Sequence, residues 1–202
     1  MLNIPYELDR IPYPKQTRRL PVCYTYQEVE KIVNNTANVK HYTILMLLYS
    51  SGLRVSEIAS LTVDDVIRDK MLLRVNQSKG KKDRYTILSH IALQNLEKYW
   101  KHYRPQTWLF PGKGGRGQLS IRAVQHAFQI AKKNAGITKK GGIHTLRHSF
   151  ATHFLEVGGG LFQLQKFLGH KNIRTTLKYV HLSEERTIAR SPLDVYHEAD
   201  SK

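Results

Sequence analysis

Apolar residues recur at helical spacing along most of the chain. Residues Thr25 to Glu28 form a capping box, and apolar positions follow it at the spacing of one helix face. A second predicted helix, 39–51, is apolar around much of its surface, which indicates a central position, and Gly52 supplies its end. Further helices are predicted at about 55–60, 89–103, 120–136, 144–157, 161–168, 172–180 and 183–190.

Two short segments have the alternation of β-strands instead. Met71 to Val75 and Arg84 to Leu88 alternate apolar and polar side chains, and the polar turn 76–83 joins them. These segments predict a β-hairpin with a basic tip. The chain has no internal repeat. The predicted fold class is therefore α+β, mostly helical, with one small antiparallel sheet.

The charge of the chain is strongly basic. Its 202 residues include 32 Lys or Arg against 16 Asp or Glu, which gives a formal charge of +16. Between Lys98 and Ser183 there are fifteen basic residues and a single acidic one, Glu156. A basic excess of this size predicts a polyanionic partner, most often nucleic acid. A solvated basic surface without a partner is the alternative.

Other features limit the class of protein. Hydrophobic residues make up 41% of the chain, which is enough for a core. The longest apolar run, Ile44 to Leu48, is far shorter than the ~18 residues of a membrane span, so no membrane partner is expected. The N-terminus lacks the apolar segment of a signal peptide. Cys23 is the single cysteine, which excludes an intramolecular disulfide and fits a reducing, cytoplasmic compartment.

The two ends differ from the middle of the chain. Residues 1–24 hold four of the seven prolines and several basic residues, so they are predicted to be an extended basic linker or arm that follows another domain. Residues 25–190 form the predicted main domain. Residues 191–202 turn acidic and include the apolar residues Leu193, Val195 and Tyr196.

Five motifs occur in an informative order. They are SGLRVSEI at 51–58, SKGKKDR at 78–84, HTLRHSFATH at 144–153, LGH at 168–170, and Tyr179. Each motif alone is weak, because an Arg usually forms a salt bridge and a Tyr at a helix end is usually core. Together they resemble the catalytic domain of tyrosine recombinases, the Xer-type and phage-integrase superfamily. The similarity extends over almost the whole chain.

The resemblance implies an enzyme that cuts and rejoins DNA through a 3′-phosphotyrosyl intermediate, without metal, ATP or another cofactor. By position, Tyr179 is the implied nucleophile, and Arg54, Arg147 and His170 are implied to hold the non-bridging phosphate oxygens. The chemistry suits these residue types, because a guanidinium matches two phosphate oxygens and fixed donors stabilise developing charge. A phenol with an ordinary pKa of about 10 needs a nearby base or a positive field.

The resemblance also implies two proton-transfer residues. Lys79 is implied to protonate the 5′-oxygen leaving group, and His144 to assist proton transfer at the tyrosine. The expected partners are double-stranded DNA and further copies of the chain, as a tetramer on synapsed sites in the bacterial nucleoid. An N-terminal DNA-clamping domain is expected before the linker. The resemblance also implies that the tail 191–202 docks on a neighbouring subunit, with Leu193, Val195 and Tyr196 as candidate anchors, and a frayed tail is the alternative. Expected DNA contacts are Lys81, Lys82, Arg84, Arg122, Lys171 and Arg174.

A zinc site is the first alternative. His144 and His148 have a usable ligand spacing, and His153, His170 and Cys23 could add ligands. The chain lacks an HExxH pattern and a cysteine pair, so no metal is expected. His148 and His153 are instead expected to pack or to bond to neighbouring backbone.

Two further alternatives concern DNA. A binding module that no longer cleaves would lack the tyrosine or an arginine, and neither is missing. A type IB topoisomerase shares the nucleophile and the arginines, but does not usually show the LRHSFATH and LGH strings. The sequence has no inserted helix between Tyr103 and Phe110, unlike integron-type integrases. The turn Gly158 to Gly160 is expected to loosen the placement of the residues that follow it.

Overall fold

The computed structural model describes residues 21–76 and 83–183. The helices within these residues are α1 (Tyr26–Asn34), α2 (Val39–Ser50), α3 (Val55–Ala59), α4 (His90–Tyr103), α5 (Ile121–Asn134), α6 (His144–Glu156), α7 (Leu161–Leu168), α8 (Arg174–Leu177) and α9 (Val180–Ser183). The strands are β1 (Val66–Ile67), β2 (Leu72–Val75) and β3 (Arg84–Ile87). Short 3₁₀ turns occur at Val63–Asp65 and Lys113–Gly115. The predicted α+β class, mostly helical with a small antiparallel sheet, is confirmed.

Helix α2 lies at the centre of the helical part of the fold. Ile44, Leu45 and Leu48 are buried on one side of the helix, and Met46 and Tyr49 on the other side are half-buried. The helix contacts α1, α3, α4, α5 and α6. The apolar surface that the sequence shows around much of this helix therefore reflects packing against five other helices.

The sheet is antiparallel in the order β1-β2-β3. Strands β2 and β3 pair with Leu72 opposite Ile87 and Val75 opposite Arg84, which confirms the predicted hairpin. Strand β1 is not predicted from the sequence, because two residues are too few to show an alternating pattern. Buried Asp65 holds it in place by accepting hydrogen bonds from Arg74 and Asn76 at 2.9 Å.

A small second core forms beside the main one. It consists of buried residues from α6, α7 and the segment after α8: Phe150, Ala151, Leu155, Leu164, Leu168 and Tyr179. On α6, Leu146 and Phe150 are buried and Phe154 is partly buried, which gives this helix an apolar face. The candidate nucleophile therefore packs its ring into the core that joins α6 to α7.

The region around Tyr179 differs from the sequence prediction. The single helix expected at 172–180 is instead two four-residue helices, and Tyr179 lies between them. The expected helix at 183–190 falls almost wholly outside the described residues. The linker residues 1–20, Lys79 and the tail 191–202 also lie outside them.

Gly52 is a position where a side chain should be costly. Its φ is +61°, and a Cβ there would lie 2.3 Å from the Phe150 ring. We expect Gly52→Ala to destabilise the domain by about 2–4 kcal/mol, from left-handed backbone strain and overpacking together. Gly136 has a φ of +68° with open space around it, so Gly136→Ala should cost only about 1 kcal/mol. Urea unfolding measures the stability of both variants. Equal losses of stability would contradict the explanation by steric overlap with Phe150.

Candidate active site

Arg147 connects three parts of the chain. It is only 6% exposed on α6, and its guanidinium donates to the carbonyl oxygen of Gly52 at 2.7 Å and to that of Leu168 at 2.6 Å. One bond reaches the loop before α3 and the other reaches the end of α7. Burial, followed by the charge of Arg54, lowers the pKa of Arg147 to about 10, so the group stays cationic at neutral pH.

Glu57 is the carboxylate that holds the arginines together. Its Oε1 accepts from Arg54 Nη1 at 2.7 Å, and its Oε2 accepts from Arg84 Nη2 at 2.9 Å. Arg147 Nη1 lies 3.7 Å from the same Oε2. Burial alone would raise the pKa of Glu57, but the charge of Arg84, the backbone N–H of Arg54 and the charge of Arg147 outweigh burial, and the pKa is lowered. One carboxylate therefore faces three guanidinium groups, which leaves the cluster cationic.

Arg84 is buried, although the sequence predicts that it contacts DNA. Arg84 is 8% exposed, and besides its bond to Glu57 it donates from Nε to the carbonyl oxygen of Phe167 at 3.0 Å. Residue 84 follows the basic turn in the sequence, but as the first residue of β3 it directs its side chain inward against α7. Its guanidinium is part of the support beneath the site.

His170 follows the left-handed Gly169 that ends α7. Its Nδ1 lies 2.9 Å from Thr176 Oγ1, and its Nε2 lies 3.4 Å from Arg147 Nη2. Burial and then the charges of Arg147 and Arg54 lower the pKa of His170 to about 4, so the ring is neutral. With Nδ1 donating to Thr176, Nε2 accepts from Arg147, and the ring is fixed between the two.

Tyr179 is 1% exposed and lies against two histidines. Its ring stacks on that of His170, with centroids 6.4 Å apart and an interplanar angle of 11°. Its hydroxyl lies 2.9 Å from Nδ1 of His148, and Lys178 Nζ lies 5.0 Å from its ring centroid. Burial raises the pKa of Tyr179 to about 12, although the charge of Arg147 acts in the opposite direction. The phenol is therefore protonated at neutral pH.

The structure brings four of the predicted site residues together: Arg54, Arg147, His170 and Tyr179. Arg147 contacts His170, and the charge of Arg54 acts on the pKa values of Arg147, His170 and Tyr179. His144 is the first residue of α6 and is exposed, and it makes no hydrogen bond to Tyr179 within the described part of the chain. Lys79, Lys81 and Lys82 lie outside the described residues. The remaining predicted DNA contacts, Arg122, Lys171 and Arg174, are exposed.

Two residues of the site are missed by the sequence prediction. The sequence favours a structural part for His148, yet this residue makes the contact with Tyr179 that is expected near His144. Its spacing of four residues from His144 places both on one helix face, so either could reach the tyrosine. Glu57 has the signal of a carboxylate three residues after Arg54 at a helix start, which is the spacing of a cap.

The structure also bears on the alternative kinds of site. Within residues 21–76 and 83–183, no three His, Cys, Asp or Glu side chains come together in a way that could hold a metal ion. Over the same ranges, none of the helices combines the length and the hydrophobicity needed to cross a membrane.

Comparison with known sequences gives a consistent family. The model described as the phage integrase family matches residues 24–186. A protein named as integrase/recombinase y4eF of Sinorhizobium fredii is 36% identical over 186 residues, which cover 92% of this chain and 74% of that protein. Tyrosine recombinase XerA of Pyrococcus horikoshii is 36% identical over 180 residues, which cover 88% of this chain. The chain spans only 62% of the length of that second relative.

Comparison with solved structures gives the same fold. A crystal structure of XerA recombinase has a TM-score of 0.74 at 27% identity and covers 94% of this chain and 67% of that one. A post-cleavage complex of XerH site-specific recombinase bound to a palindromic difH substrate has a TM-score of 0.75 at 22% identity, covering 86% of this chain and 53% of that one. The second likeness concerns the fold alone.

Proposed function

The chain belongs to the phage integrase family of tyrosine recombinases, and on that premise we propose that it cleaves and rejoins DNA at specific sites through a 3′-phosphotyrosyl intermediate. In this proposal Tyr179 is the nucleophile. Its Oη attacks the scissile phosphorus, the bond from phosphorus to the 5′-oxygen breaks, and the covalent link conserves the energy for rejoining. No ATP is needed, because the phosphodiester is exchanged and never hydrolysed.

The convergence of Arg54, Arg147 and His170 on Tyr179 is the observation that carries this proposal. A buried phenol beside two guanidinium groups and an imidazole suits attack on a phosphate, because the cations neutralise the charge that repels the nucleophile. Each such donor contributes roughly 10²–10³ in rate. A bound phosphate would also raise the pKa of His170, because a nearby anion favours the imidazolium.

Attack also requires a movement of Tyr179. Its side chain is 1% exposed, so the phosphorus reaches Oη only when the segment around it opens. The break between α8 and α9, each four residues long, is where we place this movement. Short helices have few internal hydrogen bonds, so shifting them is less costly than moving a long helix.

Lys79 and His144 complete the proposed chemistry. Lys79 would protonate the departing 5′-oxygen. His144, exposed at the start of α6, would assist proton transfer at Tyr179 without contacting it, because its charge acts on His148. No metal ion has a part in either step.

The exposed basic residues would hold the flanking duplex. Arg122, Lys171 and Arg174 are exposed, and Arg174 is the first residue of α8, close in sequence to Tyr179. XerH is described as bound to a difH substrate in both pre-cleavage and post-cleavage complexes, which supports a duplex DNA partner here. Recombination joins two sites, so we propose a tetramer of the whole protein on synapsed DNA.

Covalent capture on a mixture of DNA sequences tests the proposed function, because it does not depend on choosing one recombination site. A pool of duplexes with a randomised core and a nick near it releases a short oligonucleotide on cleavage, which prevents rejoining. We expect the wild-type protein to become linked to DNA in EDTA without ATP, and peptide mass spectrometry to place the link on Tyr179. A link on another residue, or no link at any salt concentration, would overturn the proposal.

A further inference from the structure

The hydroxyl of Tyr179 has a defined partner in His148. Nδ1 of His148 lies 2.9 Å from Tyr179 Oη, and the two ring centroids are 5.8 Å apart. His148 directly follows Arg147 on α6, so the element that places the guanidinium also places this imidazole. The imidazole and the phenol come from segments 31 residues apart, and both are at least partly buried.

The direction of this hydrogen bond depends on the tautomer of His148, because both groups are neutral. Burial and then the charges of Lys178 and Arg147 lower the pKa of His148 to about 4, so the ring is neutral. Since the pKa of Tyr179 is raised to about 12, the phenol keeps its proton, and with the ring in its Nε2–H tautomer it donates that proton to Nδ1. A ring lone pair therefore already faces the proton that must leave when Oη becomes a nucleophile.

His144 has a different environment although it lies one turn earlier on the same helix. It is exposed, and its side chain makes no hydrogen bond in the part of the chain that the structure describes. Its charge acts on His148, together with those of Arg147 from α6 and Lys178 from the segment after α8. Groups facing His148 from these elements are thus cationic or neutral.

We propose that His148 is the catalytic residue that accepts the phenolic proton of Tyr179 during strand cleavage. This inference rests on the proposed function. The contact between Oη and Nδ1 is retained while the segment around Tyr179 opens to the phosphate. As the bond from Oη to phosphorus forms, the proton moves from Oη to Nδ1, and the electron pair of the breaking bond leaves with the 5′-oxygen, which takes its proton from a separate donor. On rejoining, the imidazolium returns the proton to Oη. The scissile phosphate supplies the negative charge that offsets the new cation beside Arg147 and Lys178.

Two substitutions separate proton acceptance from simple positioning. Asn at position 148 can place an amide oxygen near the position of Nδ1 and accept the same hydrogen bond, but it cannot take a proton. We expect His148→Asn and His148→Ala both to slow single-turnover cleavage by roughly 10²–10⁴-fold. The substrate is the nicked duplex recovered by covalent capture with the wild-type protein. His148→Gln serves as a further variant if the Asn protein is unfolded by circular dichroism.

The chain offers a matched control at His153. Nδ1 of His153 lies 2.9 Å from the hydroxyl of Tyr49, so a second histidine of α6 makes the same kind of bond to a second tyrosine. His153→Asn is expected to change the cleavage rate by less than about tenfold. A His148→Asn protein as active as this control would overturn proton acceptance. A faster His148→Asn protein would also overturn it, because His148 would then hold Tyr179 in its buried position and slow the attack.

The pH profile supplies a readout that a structural role would not change. Between pH 7 and 9 the wild-type rate should be flat, because a neutral His148 already serves as the acceptor. In His148→Asn the rate should rise about tenfold per pH unit, because only the ionised phenol can then attack. A flat variant profile, or a wild-type profile that rises in this way, contradicts the inference. Failure of the wild-type protein to capture DNA would instead refute the proposed function.

Discussion

Replacing Tyr179 by Phe is expected to abolish covalent capture of DNA while the domain stays folded and still binds the duplex. The phenyl ring keeps its packing with Phe150 and Leu168 in the small second core, and only the oxygen is lost. The expected cost is about 1 kcal/mol of stability, from the lost bond to His148. Cleavage should fall by roughly 10⁴-fold or more, because the proposed nucleophile is absent.

Tyr49→Phe is the control for this substitution. Tyr49 is half-buried, its pKa is likewise raised to about 12 by burial, and its hydroxyl bonds to a histidine of α6 at the same distance of 2.9 Å. Loss of this hydroxyl should cost similar stability and leave capture intact. Gel separation of protein–DNA adducts measures capture, and denaturation measures stability. Adduct formation by Tyr179→Phe at the wild-type level would exclude Tyr179 as nucleophile.

The sequence predicts best those elements whose signals are local. The capping box at Thr25 and the all-round apolar surface of α2 give helices close to their observed bounds. Strand β1 is missed because its stability comes from Asp65 and its pairing with β2, which are tertiary contacts. The helix expected through Tyr179 is interrupted, because the ring is directed into the second core at a position that a continuous helical pattern does not reveal.

The site shows the same limit at the level of single side chains. Arg54, Arg147, His170 and Tyr179 are predicted by the resemblance to tyrosine recombinases, and the structure brings them together. Sequence spacing does not determine which of two histidines on one helix face meets the tyrosine, because that depends on how the later segment packs. The part that Glu57 plays is hidden for the same reason, because it contacts the arginines from a buried position.

The same packing gives Arg84 surroundings that its place in the sequence does not indicate. In the sequence this residue ends a basic run and looks like part of an exposed tip. In the structure its guanidinium lies beside Glu57, where it helps to neutralise the carboxylate. Glu57 in turn keeps Arg54 and Arg147 from repelling one another out of position. The basic residues of the chain therefore divide into exposed cations, such as Arg122 and Arg174, and buried cations that hold the site together.

Glu57→Ala should consequently be among the most damaging substitutions in the domain. It leaves Arg84 and Arg147, both with side chains 7% exposed, without their carboxylate. Removing one partner of a buried ion pair costs about 3–5 kcal/mol, mostly because the remaining charge is unpaired. Covalent capture should also fall by roughly 10²-fold or more, because the guanidinium groups lose their fixed positions. Urea unfolding of each variant and the capture assay measure the two effects.

A control substitution at Glu97 and the pH dependence of stability show whether the loss of stability in Glu57→Ala comes from the unpaired buried charge. Glu97 pairs with Arg68, whose side chain is 71% exposed, so Glu97→Ala should cost only about 0–1 kcal/mol. Glu57 has a lowered pKa in the folded state, so its contribution is fully present above the unfolded value of about 4.3 and is lost as the pH falls through the folded value. The stability gap between wild type and Glu57→Gln should therefore narrow below about pH 4. A gap that stays constant down to pH 2 would mean that Glu57 acts through its shape and hydrogen bonds, and its charge would then have no part in holding the arginines.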